Sequence, residues 1–240
     1  MSQVHVHDTA EDLASAVAGD LLERLASAQE RGEEPQVGLT GGTIADAVHH
    51  EVARLAPESP VDWTRVDFWW GDERFVDAGS SDRNALQARR AFLDEIGVPA
   101  GRIHEIPSSS EEPTAEESAA AYSRAIREHG AGFFEVLMLG IGHDGHVASL
   151  FPGHPALDAT DAIAVAVHDA PKPPPDRVTL TYEAMDRARA VWFLASGQEK
   201  ADAVAAALRE GDLHEIPARG VRGTEETVWH LDPESAHLLT

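Results

Sequence analysis

The stretch Phe134-Glu135-Val136-Leu137-Met138-Leu139-Gly140-Ile141, followed at once by Gly142-His143-Asp144-Gly145-His146, decides how this chain folds. Apart from Glu135 the first eight residues are apolar. A strand with one wet face would alternate; this one does not. An unbroken run is the pattern of a central strand in a parallel sheet covered by helices on both faces. The glycine-rich, charged segment after it then marks the carboxyl end of the strand, where such sheets hold their ligands.

Outward from this strand, short apolar runs alternate with helical patterns. Upstream, a helix is predicted over residues 8–31. Asp8 and Glu11 stand at capping-box spacing, and Val17, Leu21 and Leu25 at helical spacing. A strand at 37–39, the turn Thr40-Gly41-Gly42-Thr43 and a helix at 44–55 come next. Residues 66–70 read as a strand, 71–83 as a polar loop, 84–96 as a helix and 103–106 as a short strand. Thr114 caps a helix that runs to 129, with Glu117 at capping-box spacing. Downstream come a strand at 163–167, an irregular proline-rich segment at 170–175 and a short helix starting within 178–185. A strand at 191–195, a helix at 199–209 capped by Ser196, a strand at 228–231 and a helix at 234–239 complete the pattern. Strands alternating with helices predict an α/β, Rossmann-like, doubly wound and mostly parallel sheet with flanking helices and right-handed crossovers. No repeat, low-complexity tract or linker divides the chain, so residues 1–240 read as a single catalytic domain.

Composition narrows the function. With 42% hydrophobic and 25% charged residues the chain is ordinary globular material. The absence of cysteine excludes disulfides, thiolate metal sites and thiol nucleophiles. The first residues lack the basic start and apolar run of a signal peptide, and no apolar run is long enough to span a bilayer, so a cytoplasmic protein is expected. A formal net charge of −23 disfavours nucleic acid and anionic membranes as partners. An enzyme of this charge with an anionic substrate must gather its few cations in one place. Lys172 and Lys200 are the only lysines; the other permanent side-chain cations are arginines, which suit bidentate phosphate recognition.

Three loops leave strand ends with unusual sequence. In Thr40-Gly41-Gly42-Thr43 two glycines let the backbone approach a ligand. The helix start behind them offers N–H groups and the positive end of a dipole to an anion. The turn matches neither a Walker A loop nor the Gly-x-Gly-x-x-Gly dinucleotide loop, and a plain strand–helix turn is the simpler reading. Gly71-Asp72-Glu73-Arg74 presents two carboxylates and a guanidinium, for a polar ligand or merely for a surface ion pair. Asn84 opens the next helix, where an N-cap is the plain reading. In the segment from Gly140 to His146, two imidazoles and a carboxylate stand in a bendable stretch. Histidine is the natural general base near neutral pH, and Asp144 is the nearest carboxylate able to fix its tautomer. A merely packed His146 is one alternative. A zinc site of His143, Asp144 and His146 is another, although no helical His-Glu-x-x-His pattern supports it. Ser149 lacks the Gly-x-Ser-x-Gly elbow of a nucleophile and reads as a turn or helix residue. Lys172-Pro173-Pro174-Pro175-Asp176-Arg177 carries two cations on a stiff loop. The histidine pairs at 5/7 and 49/50 read as surface residues, and Trp69 and Trp70 as core.

Taken together and in this order, the segments resemble the 6-phosphogluconolactonase family over nearly the whole chain. The stations are Gly41-Gly42-Thr43, Asp72-Glu73-Arg74, Asp82 with Asn84, and Asp144-Gly145-His146-Val147-Ala148-Ser149-Leu150-Phe151-Pro152. The run from Lys172 to Thr181 and the pair Gly197/Lys200 follow. The resemblance implies a fold shared with glucosamine-6-phosphate deaminases and ribose-5-phosphate isomerases. It also implies hydrolysis of 6-phospho-D-glucono-1,5-lactone to 6-phosphogluconate, the second step of the oxidative pentose phosphate pathway. His146 matches the family's general base and Arg74 a phosphate-contacting arginine, with Lys172 and Arg177 toward the substrate. Gly41, Gly42, Thr43, Asp72, Asn84 and Gly142 complete the expected substrate-binding set, and Asp144 is expected to orient His146. No cofactor or metal is expected, the partner is a small phosphosugar lactone, and the protein is expected to be a monomer or weak homodimer. This chain departs from the family where Ser-Gly-Gly-Ser-Thr-Pro becomes Thr40-Gly41-Gly42-Thr43-Ile44-Ala45 and where Asp-Ser-Asn becomes Asp82-Arg83-Asn84. Position 143, often acidic or proline in relatives, is histidine. Rival readings are a sugar-phosphate deaminase or isomerase and a non-catalytic sugar-phosphate sensor. The deaminases carry Ala-Phe-Asn-Glu-Pro where this chain has Ala148-Ser149-Leu150-Phe151-Pro152, and no DNA-binding extension marks a sensor.

Overall fold

In the computed structural model, which describes residues 2–239, the apolar run becomes β5 (Val136–Gly140), hydrogen-bonded between two other parallel strands. The strands before it are β1 (Gln3–Val6), β2 (Gln36–Leu39), β3 (Asp67–Trp70) and β4 (Asp72–Arg74). Those after it are β6 (Ala164–Val167), β7 (Arg177–Leu180), β8 (Ala190–Ala195) and β9 (Glu226–Leu231). The helices are α1 (Ala10–Glu30), α2 (Thr43–Leu55), α3 (Asn84–Ala88), α4 (Ala115–His129), α5 (Tyr182–Met185), α6 (Ala201–Ala207) and α7 (Pro233–Ala236). Six strands form a wholly parallel sheet in the order β1-β9-β8-β5-β2-β3. Among the described residues no helix is long and apolar enough to cross a membrane.

This strand order creates the site. The chain steps outward from β2 to β3, then returns to lay β5 on the other side of β2. The loops leaving β2 and β5 therefore diverge, and a crevice opens beyond their carboxyl ends. The one polar residue in the apolar run is neutralised. Glu135 is buried just before β5 and is held at 2.8 Å by Arg24 of α1 and at 2.8 Å by Arg189 just before β8.

Several expectations are corrected. Residues 71–83 are not all loop: Asp72–Arg74 is β4, and it pairs antiparallel with β7, which together with β6 forms a second, three-stranded sheet. The segment expected to start a helix within 178–185 splits, because Arg177–Leu180 alternates as a strand before Thr181 caps the short α5. The N-cap of α1 is Thr9, whose hydroxyl accepts the N–H of Asp12 at 3.0 Å, rather than Asp8. Ser196 is no cap; its hydroxyl donates to Asp232 at 2.7 Å, and Gly197 precedes a 3-10 turn that leads into α6. The helix from Asn84 is α-helical only to Ala88 and continues as a π turn over Arg89–Leu93. Residues 103–106 contribute a single bridge, Ile103 to Phe68. His49 is not a surface residue but is buried against Phe92, ring centres 4.8 Å apart. The strand β1 escaped prediction because all four of its side chains are exposed.

Trp69 and Trp70 lie in the core as expected. On the side of β3 away from β2, the hydroxyl of Tyr122 in α4 both accepts the N–H of Trp70 and donates to its carbonyl, each at 2.8 Å. A buried backbone group without a partner costs more than an ordinary hydrogen bond is worth. Tyr122→Phe strands two such groups without changing shape. Urea unfolding of that variant is expected to show a loss of about 1–3 kcal/mol, with an unchanged denaturant slope.

Candidate functional site

A cavity of about 300 Å³ opens at the carboxyl ends of β2, β3 and β5. Gly41, Gly42, Asp72, Arg74, Asn84, Gly142, His146, Lys172 and Arg177 line it, so the three loops singled out in the sequence do meet. Two expected residues stand outside its wall. Thr43 is the exposed first residue of α2, and Asp144 lies behind His146. A cavity of about 370 Å³ near the opposite ends of the strands, floored by Trp69 and Phe134, contains none of the expected residues.

The loop after β5 sets the histidine. The Gly142 N–H donates to the carbonyl of His146 at 2.9 Å, and the Gly145 N–H to that of Gly142 at 2.9 Å, closing a tight turn. Gly145 has φ of 83°, which a side chain would strain. The space a β-carbon on Gly142 would need is taken by the His146 ring and by Asp144. His146 Nδ1 lies 2.5 Å from Asp144 Oδ1, and the ring packs on Phe151 at 4.6 Å between centres. Burial works against ionisation of Asp144. Hydrogen bonding and attraction to His146 outweigh it and hold the carboxyl well below its usual range. An ionised Asp144 accepts from Nδ1–H, which leaves Nε2 as the basic nitrogen. His143 is exposed on the same loop, and among the described residues no three His, Asp or Glu side chains converge as a metal would need.

The two short strands missed in the sequence set the cations. Alternation along β4 puts Asp72 and Arg74 on one face and Glu73 on the other. In the ladder with β7, Arg74 stands opposite Arg177 and Asp72 opposite Thr179. Arg177 is buried; its desolvation and the charge of Arg74 lower its pKa. Its Nε donates to the carbonyl of Pro174 at 3.1 Å and its Nη2 to that of Lys172 at 3.0 Å, so much of this guanidinium braces the proline-rich loop. Arg74 donates from Nη1 to Asn84 Oδ1, while Asn84 Nδ2 donates to the carbonyl of Asp72 at 3.0 Å. The Asn84 carboxamide fills the place of a Gly41 β-carbon. Ser149 is buried, and its hydroxyl donates to Asp72 at 2.6 Å, so it serves the carboxylate rather than acting as a nucleophile.

Lys200 lines the cavity too and was not among the expected site residues. Burial, then the charge of Lys172, lowers its pKa, and Lys172 lines the same cavity, so both lysines of the chain stand in one place. The signal for it was lysine usage: a chain that spends only two lysines has set both here.

Residues 8–229 match the model of the family described as glucosamine-6-phosphate isomerases/6-phosphogluconolactonase. The chain belongs to this family. It is 40% identical to the 6-phosphogluconolactonase of Streptomyces coelicolor, across 99% of this chain and 94% of that protein. It is 33% identical to the human 6-phosphogluconolactonase, across 99% and 93%. The crystal structure of 6-phosphogluconolactonase from Thermotoga maritima superposes with a TM-score of 0.85 at 26% identity, covering 97% of this chain and all of that one. Gly42, which the turn shares with the family pattern, is the N-cap of α2, with φ 107° and no side-chain cap. The added cation of Asp82-Arg83-Asn84 is directed inward, since Arg83 is buried.

Gly142→Ala tests the fit of glycine and imidazole. The added carbon is expected to push the His146 ring off Asp144, abolishing the low-field N–H proton resonance of that short hydrogen bond. The thermal midpoint should shift by only a few degrees, about 1–2 kcal/mol.

Proposed function

We propose that the protein hydrolyses 6-phospho-D-glucono-1,5-lactone to 6-phospho-D-gluconate, the second step of the oxidative pentose phosphate pathway, with His146 as general base. The observation that carries this reading is one cavity holding both an Asp144-oriented imidazole and the cations Arg74, Lys172, Arg177 and Lys200. A base alone would suit many hydrolases. A base beside four cations, in a chain of net charge −23, suits an anionic substrate with a hydrolysable carbonyl. The substrate named for the relatives, a phosphorylated gluconolactone, has both parts.

In this scheme the phosphate sits between the start of α2 at Gly41 and Gly42 and the side chains of Arg74 and Lys200. Lys172 covers it from the braced loop. Neutral His146 takes a proton at Nε2 from water as the water oxygen attacks C1 of the lactone. Asp144 stabilises the imidazolium that forms. Backbone donors of the 142–145 loop that its tight turn leaves unused, or those of the turn at Gly41 and Gly42, stabilise the developing oxyanion. The tetrahedral intermediate then collapses, the C1–ring-oxygen bond breaks, and His146 returns its proton to the departing ring oxygen. Water and lactone give the carboxylic acid and the freed hydroxyl, so proton and atoms balance. The fixed cations and the imidazole supply the charge and proton handling of these steps, so the scheme calls on neither metal nor cofactor. The same reading has the protein act in the cytoplasm as one domain, monomeric or weakly dimeric.

His146→Ala is expected to lower kcat by about 10²–10⁴, while calorimetry still detects 6-phosphogluconate. Asp144→Asn is expected to cost up to about 10⁴ by favouring the wrong tautomer. The assay follows acid release from freshly generated lactone, with spontaneous opening subtracted. Full activity in His146→Ala sinks the assignment of the base. Lys200→Ala should instead raise KM about tenfold, the loss of one charge-assisted phosphate contact.

A further inference from the structure

One carboxylate behind the cavity takes no part in this scheme. Glu73 leaves β4 on the face opposite Asp72 and Arg74 and is 1% exposed. Its Oε1 accepts the backbone N–H of Arg74 at 2.9 Å and that of Asn84 at 2.8 Å; its Oε2 accepts the N–H of Ala85 at 2.8 Å. A single carboxylate thus holds the main chain of two residues that face the cavity from different elements.

The residue before Asn84 is the cation that sets this chain apart from the family's Asp-Ser-Asn pattern. Arg83 is as deeply buried as Glu73. Its Nη2 donates to the carbonyl of Ile106 at 2.6 Å and lies 3.5 Å from Glu105, while its Nη1 is buried without a hydrogen-bond partner among the described residues. Burial pushes the Glu73 carboxyl up to about 7, and attraction to Arg83, then the three N–H groups, pull the other way. A protonated carboxyl would turn a donor toward N–H groups that need acceptors, so the observed contacts call for the ionised form. An ionised group this deep needs a counter-charge; Arg83, buried to the same depth and in contact with Glu105 rather than with Glu73, supplies it through its field.

We propose that Glu73, with Arg83 as its buried counter-charge, is the positioning residue of the phosphate grip. It fixes the backbones of Arg74 and Asn84 in one frame, so that the guanidinium of the first meets the carboxamide of the second. The inference rests on the reading that the cavity takes a phosphorylated lactone. His146 and Asp144 come from the loop after β5 and share no hydrogen bond with Glu73, so the effect belongs to substrate binding and not to the chemical step.

The test compares kcat and KM for the lactone in wild type, Glu73→Gln, Arg83→Met and Arg83→Lys. Calorimetry with inorganic phosphate and thermal melting run alongside. In Glu73→Gln, KM is expected to rise about tenfold or more, with kcat within about threefold, and phosphate binding to weaken by the same factor. Arg83→Met is expected to raise KM about threefold to tenfold and Arg83→Lys to recover most of that, since charge is what Glu73 requires. An unchanged KM in Glu73→Gln overturns the proposal, and so does a parallel loss of kcat and stability with KM unmoved. If Glu73→Gln does not fold, the arginine pair decides: equal KM values for Arg83→Met and Arg83→Lys overturn it. Wild-type protein that opens the lactone no faster than buffer overturns the lactonase reading instead, and the phosphate calorimetry still tests Glu73 by itself.

Discussion

Arg74 and Arg177 face each other across an antiparallel pair of strands. Like charges placed directly opposite repel, and a strand pair chosen for stability alone would not carry them. Much of the surrounding structure can be understood as holding that repulsion in place. Asn84 accepts from one guanidinium, and carbonyls of the proline-rich loop accept from the other. Asp72, held by Ser149, sits on the same face of β4 as a partial counterweight. What remains uncompensated is a local excess of positive charge in a strongly negative molecule. Inside a concave, partly desolvated wall such an excess is felt far more strongly than on an open surface.

The acidity of the chain and the cationic cavity therefore belong together. Carboxylates elsewhere give the molecule a negative field that repels polyanions, while the cavity is a local region of positive charge suited to a small anion. The His146 imidazole sits at the same strand ends on an independent loop, oriented by Asp144 and packed on Phe151. The cations and the imidazole are thus built from separate segments of chain. Only the topology of the sheet, with its divergence between β2 and β5, brings them together.

How much of this was legible in the sequence follows from which interactions are local. The strand β5 was readable because burial on both faces leaves an unbroken apolar run, and α4 because Thr114 caps it through a neighbour three residues on. The loops that meet in the cavity were readable from glycine and charge at strand ends, and Asp144 is two residues from the histidine it holds. β4 and β7 were not readable. Each has three or four residues, and one face carries charges and a threonine, so the pattern that announces a strand is missing. The burial of His49 depends on Phe92, far along the chain, and the placement of Lys200 on a loop that only the fold brings near Lys172. The inward turn of Arg83 is likewise tertiary; in sequence it reads as one more surface cation.

Tyr122 also has a consequence beyond the bonds it makes. β3 is the last strand of the parallel sheet, and its outer side would otherwise offer a row of free backbone groups. Tyr122 occupies both groups of Trp70, and the N–H of His104 occupies the carbonyl of Phe68 at 2.9 Å. The ladder is thereby closed to any further strand, from this molecule or another. A sheet that ends in Phe-Trp-Trp would be a template for edge-to-edge aggregation if left open, and the phenol oxygen of one tyrosine removes much of that hazard.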